Sequence, residues 1–486
     1  MTPARTSATR PQPPDSPDAT GSGRGEGGER PAGRRRALFG ISLGYFMVLL
    51  DTTVLAVAEP DLARSLGTST AGLQWAFTGY TVALGALLLS GGAVSDRYGA
   101  HRAFRYGIAV FGLGSLLSAL APNLWTLVLL RVLLGAAAAA AVPATLSLIT
   151  RLYPDPVERA RAVAVWAATS GSALAAGPLV GGFLVDLAGW RAVFLVNVPL
   201  AALTLACTLG RPGRTLRSPR GPRAVDWSAQ LAACAALGLL TDLLIALGSG
   251  GYVHAGWSAA GTVAAAAVFV RLERRSAAPV LPPSVLRAPG MPALLLTGAA
   301  VTFAMMALVF VLPLVLQQSM RLTPFATGAA FLPMTLPCAF NPLLTGRIVA
   351  RVGPWRPVLG GLGLLALGSA VIGAAMLAGD SYPLLAVGLV CCGFGVSFSL
   401  PALVTALVAT APAGTAGAAS GLLNAARQTG GTIGVAAVGA FALVGRSGGG
   451  TALAWAQLLP SAVCLVPAVM ILRGRGKPAG SSTVAR

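Results

Sequence analysis

The chain has 486 residues, 55% of them hydrophobic and only 10% charged, where a soluble domain carries about 25% charged residues. That balance, with a mean hydropathy of +0.74, excludes an ordinary soluble protein, and the lack of short alternating segments excludes a membrane β-barrel. The formal net charge of +20 is no sign of nucleic-acid binding, because no stretch interleaves basic residues with aromatics for base stacking.

Residues 1–36 are rich in Pro, Gly, Ser and Arg and hold no apolar run. They are expected to form a disordered cytoplasmic tail and do not have the build of a signal peptide. Fourteen apolar stretches follow, near 37–58, 71–92, 104–121, 124–149, 162–186, 192–210, 228–248, 257–271, 291–316, 326–346, 357–378, 382–409, 416–443 and 452–472. About 20 apolar residues cross a bilayer as a helix, so the expected architecture is all-α, with 14 transmembrane helices. The eighth stretch is the shortest, and prolines interrupt the tenth.

The connectors alternate in charge. One set carries Arg34 to Arg36, then Arg97, Arg102 and Arg105, then Arg151, Arg159 and Arg161; the Arg-rich linker after 210, Arg271 to Arg287, Arg347 to Arg356 and the basic C-terminus continue it. The other set holds only Arg64, Arg191, Arg321 and Arg446. Basic residues stay on the cytoplasmic side of a membrane, which places both termini there, in a multi-pass protein of the cell membrane, and accounts for the net charge. Lys477 is the one lysine; the Arg bias, with heavy Ala, Gly and Pro use, reads as GC-rich coding.

GAVSDRYGAHR (92–102) resembles GRIVARVGPWR (346–356). Weak internal symmetry of this kind marks duplicated membrane folds. It divides the chain into a six-helix half at 37–210, a linker and extra helix pair at 211–290, a second six-helix half at 291–472 and a cytoplasmic tail at 473–486.

Charge inside an apolar stretch is rare and costly, so each instance is a candidate site. Asp51, Arg131, Asp242 and Arg427 lie well inside such stretches, with Glu59 and Asp186 near stretch ends. Desolvation penalises charge, so Asp51 is suited to taking up and releasing a proton, unless a fixed partner holds it. Arg131 cannot carry the proton; it can hold a carboxyl, a water or an anion, or serve a structural ion pair. Asp242, in the extra and presumed peripheral pair, reads as a hydrogen-bonded structural acid or a cavity residue. Asn424 and Arg427 share a helix face, and with Gln428 they form a cavity wall or a structural network. In GSALAAGPLVGG (171–182), Gly177-Pro178 removes a helix hydrogen bond, and Gly171, Gly177, Gly181 and Gly182 give a close-packing face. The six cysteines lie in apolar runs without metal spacing and read as small hydrophobes. His101 and His254, the only histidines, fall in loops, and there is neither a Walker A run nor a G-x-S-x-G. No enzyme, metal, ATP motor or other cofactor is expected.

LDTTVLAVAEP (50–60), GAVSDRYGAHR, LRVLLGAAAAAAVPA (130–144), GSALAAGPLVGG, GWRAVFLVNVP (189–199) and GLLNAARQTGGTIG (421–434) stand in this order. Over residues 37–472 the chain thereby resembles the major facilitator superfamily, in its fourteen-helix drug:proton antiporter branch. Three positions depart from that pattern: Ala56 where Asn is usual, Glu59 where a hydrophobic residue is usual, and Leu134 where Gln is usual. The resemblance implies a monomeric, proton-driven exporter of a hydrophobic or amphipathic drug or antibiotic, with Asp51, Arg131 and Glu59 coupling protons. It implies a gating role for the loop with Gly92, Asp96, Arg97, Gly99 and Arg102. There Gly92 and Gly99 would allow close helix approach, and Asp96 would pair with an arginine or cap the third helix in one conformation. Glu59 would be an additional outer-facing acid. The expected partners are protons, the bilayer and the small-molecule cargo, such as a producer's own antibiotic (a cephamycin-type β-lactam is one candidate). A nutrient importer of the same fold is the alternative; a non-transporting sensor would be expected to carry a folded soluble module.

Overall fold

The computed structural model describes residues 31–209, 226–276, 283–379, 381–412, 415–444 and 451–475. Most of the expected tail, the 211–225 linker and the last eleven residues lie outside the described residues.

Among the described residues there are helices and no strand. The order is α1 (Pro31–Leu66), α2 (Thr70–Tyr98), α3 (Ala100–Ala119), α4 (Leu124–Leu152), α5 (Pro156–Ala188), α6 (Ala192–Leu195), α7 (Asn197–Thr208), α8 (Trp227–Gly248), α9 (Tyr252–Arg275) and α10 (Pro283–Leu286). Then come α11 (Met291–Leu314) with a π-helical turn at Val315–Ser319, α12 (Pro324–Ala330), α13 (Leu332–Val352), α14 (Trp355–Leu377), α15 (Tyr382–Thr410), α16 (Ala416–Val444), α17 (Thr451–Ala456) and α18 (Leu458–Arg475). Local chemistry fixes where they start. The Asp155 carboxylate accepts from the backbone N–H of Val157 and Glu158 at 3.0 and 2.8 Å, ahead of a first-turn Pro156 in α5. Thr323 caps α12 in the same way, with Pro324 next.

Each of the fourteen apolar stretches falls in one helix or in a pair broken at a single residue: Val196, Phe331 or Gln457. Nine helices among the described residues are long and apolar enough to cross a membrane. Several boundaries differ from expectation: α1 runs on to Leu66, α2 to Tyr98, and α5 starts at Pro156. Helix α1 begins at Pro31, so residues 31–36 are helical and not part of a disordered tail. Helix α9 begins at Tyr252, so His254 is helical. His101 is helical too, in the first turn of α3.

One packing pattern occurs twice. In the first set, α4 receives both α2 and α3, and α1 packs on α5 and α7; in the last, α15 receives α13 and α14, and α11 packs on α16 and α18. The helix junctions match as well. Gly99 (φ +93°) joins α2 to α3 and Gly353 (φ +77°) joins α13 to α14, a backbone that only glycine adopts without strain.

Among the described residues, the arginine-bearing helix ends of the first set meet at one end of the bundle, the basic face: Arg34 pairs with Glu158, Arg36 donates to the Ala206 carbonyl and Arg105 to the Thr208 carbonyl. The two sets meet from the middle of the helices to the opposite face. There the Gln74 amide donates to the carbonyls of Val435 and Ala436 at 3.2 and 2.9 Å. Thr432 donates to Thr81 at 2.9 Å, and Gln317 to the Val57 carbonyl at 2.9 Å. The Phe325 N–H donates to Asp186 Oδ2 at 2.9 Å. Towards the basic face α5 emerges from its neighbours: Val157 and Val165 are 60% and 52% exposed. A side chain at Gly92, Gly171 or Gly346 would meet nothing there. The bundle is therefore closed at one face and parted at the other. Helix α8 lies across the α2–α16 seam, with Gly248 against Ala440, yet keeps most of its surface unburied, and α9 packs on α8 and leaves Val253 and Trp257 exposed.

Candidate functional site

Asp51 and Arg131 meet in the interior of the first set. Asp51 comes from α1 and Arg131 from α4, and α2 presses closely on α4 beside them: a Cβ at Gly135 would lie 3.0 Å from the Leu84 nitrogen. The Arg131 Nη1 bonds to Asp51 Oδ2 as an ion pair in which both side chains are 1% exposed. Arg131 Nε donates to the Ala76 carbonyl at 3.1 Å, and its guanidinium lies 4.5 Å from the centre of the Tyr80 ring, a cation–π distance. Tyr80 in turn donates to the Val48 carbonyl at 3.3 Å and meets Phe111 edge-on.

The second carboxylate oxygen is also taken. Asn197 Nδ2 donates to Asp51 Oδ1 at 2.9 Å and to Ser115 Oγ at 3.2 Å. Asn197 and Ser115 are fully buried. Five helices, α1, α2, α3, α4 and α7, thus hold one carboxylate. A buried ion pair is tolerable only with such complete partnering. Charge alone pointed to Asp51 and Arg131; Asn197, Ser115 and Tyr80 escaped notice. A lone amide in the apolar GWRAVFLVNVP was the available signal for Asn197. Replacing Asn197 by Ala should cost about 1–3 kcal/mol, since it strips a donor from a buried carboxylate. Replacing it by Asp should cost more, because it adds a like charge. Thermal unfolding of the purified chain checks the order.

Glu59 lies two turns beyond Asp51 on α1. It is enclosed, at 2% exposure, and neither carboxyl oxygen has a hydrogen-bond partner among the described residues. Burying a charge without a partner is costly, so a charge on Glu59 requires this region to rearrange.

The polar group on α16 is separate. Arg427 donates through Nε to Thr302 at 3.3 Å and through Nη1 to Asn424 at 3.4 Å, whereas Gln428 packs on Gly85 of α2. Among the described residues no carboxylate pairs with Arg427. Asp242 does not join this cluster. It sits between α8 and α9, 2.8 Å from His254 Nε2 and accepting from Ser258 at 2.5 Å.

The stretch expected to form a gating loop is helical but for Gly99, with Gly92, Asp96 and Arg97 in α2 and Arg102 in α3; there Gly91 and not Gly92 is the close contact of α2 with α4. A Cβ at Gly91 would lie 3.2 Å from Pro143 Cγ, whereas Gly92 faces open space. Helix α3 starts on Gly99 without a side-chain cap; the Asp96 side chain lies outside the described residues. Arg97 rests 5.6 Å from the Tyr98 ring centre, and Arg102 is exposed. The α5 glycines divide by direction. A Cβ at Gly177 or Gly181 would strike Thr53 or Val54 of α1, and one at Gly182 would sit 2.8 Å from the Phe325 Cα of α12. Gly171 touches nothing, so it is not part of the packing face, and α5 runs on through Pro178, whose carbonyl abuts Gly328.

Residues 41–435 match the family model of the Major Facilitator Superfamily. The chain is 34% identical over 409 residues to the multidrug resistance protein Stp of Mycobacterium tuberculosis, covering 83% of this chain and 74% of that one. It is 36% identical over 412 residues to the puromycin resistance protein pur8 of Streptomyces alboniger (82% and 79% covered). It is 33% identical over 427 residues to the methylenomycin A resistance protein of Streptomyces coelicolor (85% and 87%). Among solved structures, a POT family transporter in complex with a thioalcohol-conjugated peptide superposes with a TM-score of 0.69 over 90% of this chain and 96% of that one, at 15% identity. That last likeness is one of fold.

Proposed function

The chain belongs to the Major Facilitator Superfamily, and we propose that it works there as a proton-coupled exporter of hydrophobic or amphipathic drugs or antibiotics. It is a membrane transporter and not an enzyme. Its relatives in drug and antibiotic resistance support an efflux role. The observation that carries the coupling is the sealed Asp51–Arg131–Asn197 network. Protonating Asp51 would leave Arg131 as a buried charge without its counter-ion, which costs several kcal/mol. The helices that hold the pair must then move. An ion-paired Asp51 accompanies a bundle parted at its basic face, the face the positive-inside rule assigns to the cytoplasm. In the proposed cycle Asp51 gains its proton from the opposite side, releases it to the cytoplasm and re-forms the pair, with cargo moving outward. One proton crossing ~100 mV supplies about 2.3 kcal/mol and one pH unit adds ~1.4 kcal/mol. Together they sustain a cargo gradient of roughly 500-fold.

This reading includes fourteen crossings, two six-helix halves at 37–210 and 291–472 flanking α8 and α9, both termini in the cytoplasm and a monomeric unit in the cell membrane. Inverted membrane vesicles energised to an acid lumen test it. Adding puromycin, ethidium or methylenomycin A should release lumenal protons, read by a pH-quenched dye, above that of vesicles lacking the protein. Absence of release with every compound of the panel overturns proton-coupled drug export.

A further inference from the structure

Between the first turns of α1 and α5 at the basic face lies a groove of about 580 Å³. Its mouth carries Arg34, Arg35 and Arg161 around a single acid, Glu158, which pairs with Arg34 at 3.5 Å. Three guanidinium groups against one carboxylate leave the mouth positive. Its walls are apolar: Phe39 and Val165 line it, and each is 52% exposed. Its deep end is polar. Ser42 lines it at 2% exposure, and the hydroxyl has no hydrogen-bond partner among the described residues. One turn further in, Tyr45 of α1 stacks on Trp166 of α5, with ring centres 4.7 Å apart and planes 7° apart, and bridges the two helices. Arg34 and Ser42 are eight residues apart on one helix, about 12 Å along its axis.

We infer that this groove is a loading site for amphipathic anions. A carboxylate, sulfonate or phosphate rests on the arginine mouth, an apolar body lies on Phe39 and Val165, and a polar atom about 12 Å from the anion meets the Ser42 hydroxyl. A buried hydroxyl left without a partner is unfavourable, and such a ligand removes that cost. A bilayer phospholipid matches less well, since an acyl chain beneath its phosphate offers Ser42 nothing. The inference rests on the exporter reading in one respect: the groove opens on the face from which cargo is taken.

The full chain in phosphatidylcholine nanodiscs, without any gradient, is titrated with dansylaminoundecanoate and with its uncharged methyl ester. Energy transfer from tryptophan to dansyl reports binding. The acid is expected to bind about tenfold more tightly than the ester, the value of one charge-assisted contact. Arg34→Gln/Arg161→Gln should abolish that preference, while Ser42→Ala should weaken acid and ester alike by roughly three- to tenfold. Thermal unfolding of each variant separates lost binding from lost fold, and Arg35→Gln alone should still reduce the preference if the double variant does not fold. Equal binding of acid and ester overturns the proposal, as does a preference that survives arginine removal. Loss of probe binding in phosphatidylglycerol nanodiscs also overturns it, by assigning the groove to lipid. Because no proton gradient is involved, failure of the vesicle experiment and failure here are distinguishable.

Discussion

Asp51→Asn is expected to abolish cargo-triggered proton release while leaving a folded chain in the membrane. Asparagine keeps the size of the side chain and one acceptor oxygen, so either Arg131 or Asn197 can still be served. The other donor then faces an amide N–H₂ where a carboxylate oxygen stood. Arg131 becomes a buried cation without its counter-ion, and breaking a buried pair in this way costs about 3–5 kcal/mol. Its bond to the Ala76 carbonyl and the Tyr80 ring beneath it remain, which limits the damage. Loss of the titrating group removes the coupled step itself. Proton release in vesicles should fall to the level of vesicles lacking the protein. Asp51→Asn/Arg131→Gln removes both charges. It should unfold at a higher temperature than Asp51→Asn alone without regaining proton release, because a network emptied of charge is no longer a charged group lacking its partner. A purely structural Asp51 would give the reverse: proton release returning along with stability in the double variant. Release that survives in Asp51→Asn itself would move the coupling to another acid, with enclosed Glu59 the first to test.

What could be read from sequence follows the range of the interaction. Hydropathy is local, and fourteen apolar stretches all proved helical. Asp51 and Arg131 were identifiable because a charge in an apolar run is conspicuous wherever it sits. Their partners were not, because Asn197 is distant in the chain, and only the packing of α7 against α1 and α3 brings it near. Helical phase is the second limit. Consecutive residues on a helix point about 100° apart, so Gly91 and Gly92 cannot be told apart by a motif, yet one touches α4 and the other nothing. Asp242 shows the third. Its partners His254 and Ser258 belong to the helix whose start was placed at 257, so a loop histidine hid a helical one. The division of the α5 glycines between α1 and α12 was invisible for the same reason: sequence shows small residues and not what they approach.

That division makes Gly182→Val the sharpest test of the conformational cycle. Gly182 meets the Pro324–Phe325 backbone of α12, and Gly328 of α12 meets Pro178, so two glycines on facing helices let the sets touch at the face opposite the arginines. Backbone cannot swing aside as a side-chain tip can. An added isopropyl group at Gly182 must push α12 away, and overpacking of this kind costs about 1–3 kcal/mol. The cost falls only on the conformation in which these helices touch. The balance should therefore shift by roughly 5- to 150-fold towards the conformation open at that face. Val57 is buried beneath the seam, its carbonyl held by Gln317. In a cysteine-free background, Val57→Cys should react with an impermeant maleimide applied from the opposite face much faster when Gly182→Val is present, and export should fall. Gly177→Val offers the contrast. Its clash is with Thr53 of α1, inside one set, so it should lower stability without raising that reactivity. Gly171→Ala, which meets nothing, should change neither. If Gly182→Val and Gly177→Val label alike, the α5–α12 contact is packing and not a gate, and the closing surface must be sought along α2 and α16 instead.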